Sequence, residues 1–521
     1  MLSSELLNKR EAVMELLKES VRLSQTVYKS DTRVMAEGDV VVPDIKPDIL
    51  KLLQVDAVSY VTNAETSDGR LDIEGCVDMK ILYIPDREGE RARSIEASFD
   101  FSHRVESKKI TSDTNAEVMS NVVKVEFSAI NSRKVKVKAV VSLDYEVCGI
   151  KEAELPFEVA GDAEIRREAV KLRSIVDMSV HRFNIRESLE IPNAQGSVNE
   201  ILKADVRICD TDYKTVTGKV VIKGETGICV LYTNEEMDIE FTEADIPFTE
   251  VLDSEDVNED TICDVEYSVC GIESKIEEDS DGDRRIIVLD IAVEVQLKAE
   301  EEIAFDMISD CYIPREKTII DSEEIEVEEL ASSPSMQNTL REIIDFGDSG
   351  PKVSEVYNVI TRASVQKVQL QHGKLLCEGK LLAYILYLSE SADNPVYSMK
   401  KDIPFSYMME CDVPTDGMEA QLKADIRHTS YNLNSAGELE LRCILSLSSN
   451  IVKHRKIRVI NSVEKGDEGG VKNGIVIYFV QNGDTLWDIA KHYSVTCSEI
   501  TAFNKLEEGK ELSAGERLFI P

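Results

Sequence analysis

The sequence predicts a mainly β protein, with three repeated antiparallel β-sandwich or barrel-like domains followed by a small C-terminal βααβ domain. Three observations carry that expectation. A glycine-to-tyrosine stretch recurs three times at long, nearly equal spacing. Alternating polar and apolar segments accompany each copy. The pattern then changes over residues 476–521, where two short apolar runs flank two helical periods. A chain of 521 residues has room for about three to four domains of typical size.

The recurring stretch is EGCVDMKILYI (74–84), KGETGICVLYT (223–233) and EGKLLAYILYL (378–388). Gly75, Gly224 and Gly379 lie 149 and then 155 residues apart, and each precedes its tyrosine (Tyr83, Tyr232, Tyr387) by eight. An aromatic follows each copy in an extended segment: Phe99, Phe248 and Phe405. Upstream, VVPDIKPDILKLL (41–53) matches EIPNAQGSVNEIL (190–202), again 149 apart, with FGDSGPKVSEVYNVI (346–360) as a weaker third. Agreement at several places indicates three diverged copies of one domain, and the period is too long for a solenoid.

Strand grammar fills each copy. KVKVKAVVSLDYEV (134–147), IIVLDIAVEVQL (286–297) and LELRCILSLSSNIV (439–452) alternate as half-buried strands do. Each follows a second strand across a short polar turn, which predicts a hairpin. Helical patterning is read around PDILKLL and over AEIRREAVKLRSIVD (163–177), and residues 1–29 read as an N-terminal amphipathic helix with Leu6, Val13, Leu16, Leu17 and Val21 on one side. The predicted units are 30–165, 166–312 and 313–463. The glycine-rich, charged stretch 464–475 reads as a flexible linker. EEIEVEE (323–329) and DSEDVNED (253–260) read as solvated acidic faces or loops.

Composition narrows the function classes. The formal net charge is −39, from 99 acidic and 60 basic residues. Nucleic acid and anionic lipid both need a cationic face, so neither is an expected partner. Charged residues interrupt every apolar pair at the N-terminus, where a secretory signal would need an unbroken apolar run, and no stretch is long enough for a membrane span. Eleven cysteines sit without CxxC pairs, which fits reduced thiols in the cytosol.

No catalytic or metal constellation emerges. His103, His181, His372, His428, His454 and His492 are scattered, none at ligand spacing with another His or Cys, and no nucleophile-elbow or phosphate-loop motif is present. DSDGD (279–283) reads as a hairpin turn, because a calcium loop placed there would put Val288 where its bidentate Glu belongs. The expectation is no enzyme, no cofactor and no metal.

The C-terminal pattern is specific. IVIYFV (475–480) is a short strand. Gly483 permits a turn, and Asp484 or Thr485 can cap a helix whose apolar face is Leu486, Ile489, Ala490 and Tyr493. TCSE (496–499) is a capping box for a second helix, with Ile500 and Phe503 inward and Asn504 as a left-handed stop. ELSAGERLFIP (511–521) closes with a strand. Leu486, Ile489, Ala490, Ile500, Phe503 and Leu518 are the predicted core.

Along its whole length this unit resembles a LysM domain. The resemblance implies a shallow groove for N-acetylglucosamine polymers between the loop after the first strand and the loop after the second helix. Carried onto this chain, the groove is Gly483, Asp484, Thr485, Leu486 and Trp487 on one side and Asn504, Lys505 and Leu506 on the other. Trp487, the lone tryptophan, has two readings: an exposed aromatic anchor, or a side chain packed against the rest of the protein.

The full arrangement, repeated β domains of unknown function ahead of one LysM module, resembles the SipL-like clostridial spore-coat morphogenesis proteins. That resemblance implies a non-enzymatic assembly adaptor in the mother-cell cytoplasm, at the outer forespore membrane. Its implied partner is the coat-basement ATPase, the stage-four sporulation protein A. The alternative is a peptidoglycan-binding cell-wall or cortex protein whose partner is an N-acetylglucosamine-containing glycan. A LysM-targeted carbohydrate-processing enzyme is a third reading, and it lacks an acid/base pair.

Overall fold

The computed structural model of the chain describes residues 13–347, 352–389, 396–411, 413, 417–466, 475–507 and 512–521. A two-residue strand β1 (Val13–Met14) precedes the first repeat, which runs β2 (Leu16–Val41), β3 (Ile49–Ser67), β4 (Arg70–Pro85), β5 (Arg93–Glu106), β6 (Asn115–Asn131) and β7 (Lys134–Val159). The second runs β8 (Glu164–Glu190), β9 (Val198–Val216), β10 (Lys219–Asn234), β11 (Ile239–Asp253), β12 (Ile262–Glu277) and β13 (Ile286–Tyr312). The third runs β14 (Thr318–Ser332), β15 (Ser335–Ile344), β16 (Val353–Gln371), β17 (Lys374–Ser389), β18 (Val396–Glu410), β19 (Glu419–Leu433) and β20 (Leu439–Lys465). Here Pro334, which has no N–H to donate, falls between β14 and β15 where the other repeats have one continuous strand.

Each repeat is a sandwich of two antiparallel sheets, three-stranded throughout except for the five-stranded sheet around β20 in the third. In the first, β3-β4-β5 faces β2-β7-β6, and both sheets contribute to one core that includes Leu71, Ile73 and Tyr83 from one side and Val135, Val137 and Leu143 from the other. The second repeats this with β9-β10-β11 and β8-β13-β12, and the third with β16-β17-β18 and the sheet around β20.

The recurring glycines have a steric cause. Gly75, Gly224 and Gly379 pair directly across the ladder with Phe101, Phe248 and Phe405. A Cβ built on Gly75 would lie 2.3 Å from the Phe101 ring and 2.4 Å from the Tyr60 carbonyl oxygen, and one on Gly379 would lie 2.5 Å from Phe405. The aromatic ring lies over bare backbone, and only glycine leaves it room. The counterpart in the first repeat is therefore Phe101, not the expected Phe99, whose ring instead lies close against Gly38.

The helices expected outside the C-terminal module are strands. Residues 13–29 of the predicted N-terminal helix form β1 and the start of β2, with Val21 and Leu23 buried two apart; residues 1–12 lie outside the described residues. AEIRREAVKLRSIVD is the first half of β8, and PDILKLL leads into β3. Their apolar spacing fits a helix, but long-range partners decide. Leu16 to Thr26 pair with Cys148 to Val159, and Glu164 to Ile175 pair with Glu300 to Tyr312.

These pairings extend each sandwich into a two-stranded ribbon. The three ribbons pack on a shared core of Val21, Leu23, Leu155, Val170, Leu172, Met307, Ile325, Val327, Ile457 and Val459. EEIEVEE lies in the third ribbon, where β14 runs antiparallel to the basic run Lys453–Arg458 of β20. Glu324 faces Arg458 and Glu326 faces Lys456, so the acidic stretch has a cross-strand counterpart.

The sandwiches meet at a second shared cluster that includes Leu82, Leu202, Leu231, Tyr357 and Leu386. Beside it Lys203, 7% exposed, places its ammonium 2.8 Å from Asp56 and 3.1 Å from Asp205. Asn358 donates to Asp205 at 3.0 Å and Gln54 to Asp56 at 2.6 Å. Gln54, Lys203 and Asn358 occupy the same position in the three repeats, at the 149- and 155-residue spacing. Between this junction and the ribbons lies a polar cavity of about 910 Å³ lined by all three repeats. Inside it, burial and the nearby Glu266 push the Glu117 carboxyl above its ordinary range.

All eleven cysteines are free thiols. Burial pushes those of Cys148, Cys263 and Cys311 up to about 11, so they remain protonated at neutral pH. In the DSDGD turn the Arg285 guanidinium occupies the acidic loop, 2.5 Å from Asp279 and 3.3 Å from Asp283. No group of three or more His, Cys, Asp or Glu suited to a metal occurs among the described residues, nor does a helix long and apolar enough to cross a membrane.

Candidate binding site in the C-terminal module

Of the predicted linker, Glu464 and Lys465 complete β20, and 467–474 lie outside the described residues. The module then runs β21 (Val476–Phe479), α1 (Leu486–Tyr493), α2 (Cys497–Asn504) and β22 (Arg517–Ile520), with β21 and β22 antiparallel.

Both helices start where the sequence places a cap. Thr485 accepts from the Asp488 N–H at 3.1 Å. Thr496 accepts from the Glu499 N–H at 3.1 Å, while the Glu499 carboxylate accepts from the Thr496 N–H at 2.9 Å, closing the capping box. That backbone bond, the first cause, and the Arg315 side chain hold Glu499 below its ordinary pKa. The left-handed stop is Lys505 (φ 53°), one residue later than expected, and Asn504 is the last helical residue. Ile489, Ala490, Ile500 and Leu518 form the core, with Leu486 packed against it. Phe503, predicted inside, is 48% exposed, because α2 turns only one narrow face inward.

The predicted groove residues divide into three groups. Gly483 (φ +93°) has no atom within 4 Å of a built Cβ, so it turns the first loop into open space. Asp484 braces that loop by accepting from the Tyr478 hydroxyl at 2.6 Å and the Gln481 N–H at 2.7 Å, and these bonds, the hydroxyl first, lower its pKa. Gln481, Asn482, Gly483 and Thr485 are exposed. In the second loop Lys505 is exposed; residues 508–511 lie outside the described residues. Both loops flank one end of the strand pair, since the first leaves at Val480, whose N–H donates to Glu516 at 2.9 Å, and the second feeds back through 512–516.

Three other predicted residues face inward. Leu486 and Leu506 are half-buried against the core. Asn504 spends its amide inside the module, donating to the Ile500 and Phe519 carbonyls at 2.9 and 2.7 Å and accepting from the Phe519 N–H at 2.7 Å. It ties α2 to β22.

Trp487 forms the last group. It is half-buried against the body of the protein, its ring edge-on to Tyr312 at 5.1 Å, with Nε1 donating to Asp310 at 2.9 Å. Of its two readings, packing against the β units is the one the fold adopts. No sequence signal near Trp487 points to this partner, which is 177 positions away.

The family comparisons agree with the architecture. The model described as SipL, SPOCS domain matches residues 48–130, 197–277 and 352–434, and the LysM domain model matches 478–521. Each SPOCS match runs from the start of the first inner sheet to the hairpin strand before the long closing strand, and the ribbons lie outside it. No curated protein and no solved structure gives a significant match to this chain. Three SPOCS domains followed by one LysM domain make this chain a SipL-like protein, a member of a sporulation-related family.

Proposed function

We propose that the chain is a non-enzymatic spore-envelope assembly adaptor. Its LysM module binds the coat-basement ATPase, the stage-four sporulation protein A, at the forespore surface in the mother-cell cytoplasm. The observation that carries this reading is the open end of the module. Gln481, Asn482, Gly483 and Thr485 are exposed beside one end of the strand pair and Lys505 is exposed after α2, while the Trp487 side of α1 is taken up by the body. Exposed backbone groups in such a cleft can meet a polypeptide as readily as an acetamido sugar. The SPOCS matches support a role in sporulation, and the scattered histidines support a binding rather than catalytic role.

The same open loops favour one alternative, binding of an N-acetylglucosamine polymer such as peptidoglycan. Capture of the purified ATPase and co-sedimentation with purified peptidoglycan, each with the full chain and with 476–521 deleted, separate the two. The adaptor reading expects module-dependent capture of the ATPase. Undiminished capture after deletion removes the module from that role, and module-dependent sedimentation without ATPase capture establishes the glycan reading.

A further inference from the structure

We propose that the ribbon end of the second repeat is a built docking site for the LysM module, and that Trp487 is a positioning residue: it fixes which way the open loops point and does not itself touch the partner. The inference rests on the reading that those loops grip the partner.

The contact has three parts. Asp310, with its side chain 15% exposed, accepts from Trp487 Nε1 at 2.9 Å and from Lys491 Nζ at 2.5 Å. Trp487 and Lys491 are four apart on α1 and so share one helix face. Arg458 of the third ribbon stands 3.7 Å from the same carboxylate. Next, the Tyr312 hydroxyl donates to the Val495 carbonyl at 2.8 Å, and its ring joins the module's own core cluster. Finally Arg315, at φ 62°, donates its N–H to the Ser494 carbonyl at 2.6 Å while its guanidinium meets Glu499 at 3.1 Å.

The repeats supply an internal control. Ladder rows Leu17–Glu158, Arg166–Asp310 and Asp321–Ser462 are equivalent, each next to a bulge at the same step. The position of Asp310 is thus Glu158 in the first repeat and Ser462 in the third. Two residues on, Tyr312 corresponds to Ala160 and Glu464. Three ribbon ends share one backbone plan, and only the second carries an Asp and a Tyr spaced to hold an indole. This accounts for one docked module on three repeats. The docked face holds Trp487 and Lys491 of α1, Ser494 after it and Glu499 in the first turn of α2; the first open loop leads into α1 just ahead of Trp487, and the second leaves from the far end of α2. Loss of Trp487 therefore acts by releasing the module.

Trp487 is the chain's only tryptophan, so intrinsic fluorescence of the full chain reports docking without any partner present. In Asp310→Ala the emission should shift to the red and acrylamide quenching should rise. Two lost hydrogen bonds to a charged acceptor should lower the docking constant roughly tenfold or more. Asp310→Asn, which keeps an acceptor for the indole and loses the charge, should fall between. A wild-type emission and quenching profile in both variants, with the fold retained by circular dichroism, overturns docking. For the positioning role, D310A and Trp487→Phe should weaken capture of the ATPase in parallel. Capture lost in W487F and untouched in an undocked D310A overturns it, because Trp487 would then touch the partner directly. If the chain captures no ATPase at all, the proposed function fails while the fluorescence result still decides docking.

Discussion

The repeats hold one another and the LysM module in different ways. Where repeat meets repeat, apolar side chains from all three fill two shared clusters, and one desolvated lysine sits between two aspartates. Where the module meets the body, a single aspartate, a tyrosine ring and a turn carry the contact. A seam made by burial scales with area and is difficult to open. A seam made by a few polar contacts, each worth little net of water, can be broken by one substitution. The body is built as one piece, whereas the module is attached at a point.

Three substitutions probe that difference. The largest effect is expected from Lys203→Met. Removing the cation leaves the half-buried Asp56 and Asp205 without their counter-charge, a loss of at most about 3–5 kcal/mol read by chemical denaturation. The pH dependence follows. The two carboxylates raise the Lys203 pKa in spite of burial. The unfolded chain therefore gives up this proton first, near the ordinary lysine value of about 10.4. The contribution is complete below that value and is lost as pH rises towards the higher folded one. K203M should show a shallower alkaline loss than wild type, and an unchanged alkaline slope would count against the central ion cluster.

Next comes Leu155→Ala in the ribbon core, where Leu155 is fully buried. The cavity should cost about 2–5 kcal/mol and lower the melting of the body, with the module melting no earlier than the body. A body transition unmoved by L155A would show that the ribbons are dispensable to it. The smallest effect is expected from Asn504→Ala. The Phe519 N–H and carbonyl would lose their partner, at about 1–3 kcal/mol confined to the module. Loss of ligand capture in N504A with no change in module melting would return Asn504 to the groove.

Much of this was legible in the residues. The three glycines announced the repeats, because a ring crossing bare backbone tolerates no other side chain. The hairpin turns between β6 and β7 and between β19 and β20, a helix cap at Asp484 or Thr485 and the Thr496–Glu499 box followed from local hydrogen bonding. In the module, Gly483 and Asp484 stand in an open loop as expected. The misreadings share one origin. Val13–Val21 and AEIRREAVKLRSIVD have helical apolar spacing, but each has a strand partner more than a hundred residues away. Phe99 and Phe101 are both aromatic two residues apart, and only the ladder register tells which one faces Gly75.

By itself, the sequence determined three antiparallel β units, sandwich or barrel-like, and the βααβ module, since period, turn chemistry and capping act over a few residues and are written where they act. Only the tertiary structure decided that the long strands run on as ribbons, that Lys203 lies between carboxylates from two repeats, and that Trp487 faces Asp310. Those outcomes depend on which distant surfaces exclude water from one another, and a burial free energy shared by segments more than a hundred residues apart leaves no periodic mark on any one of them.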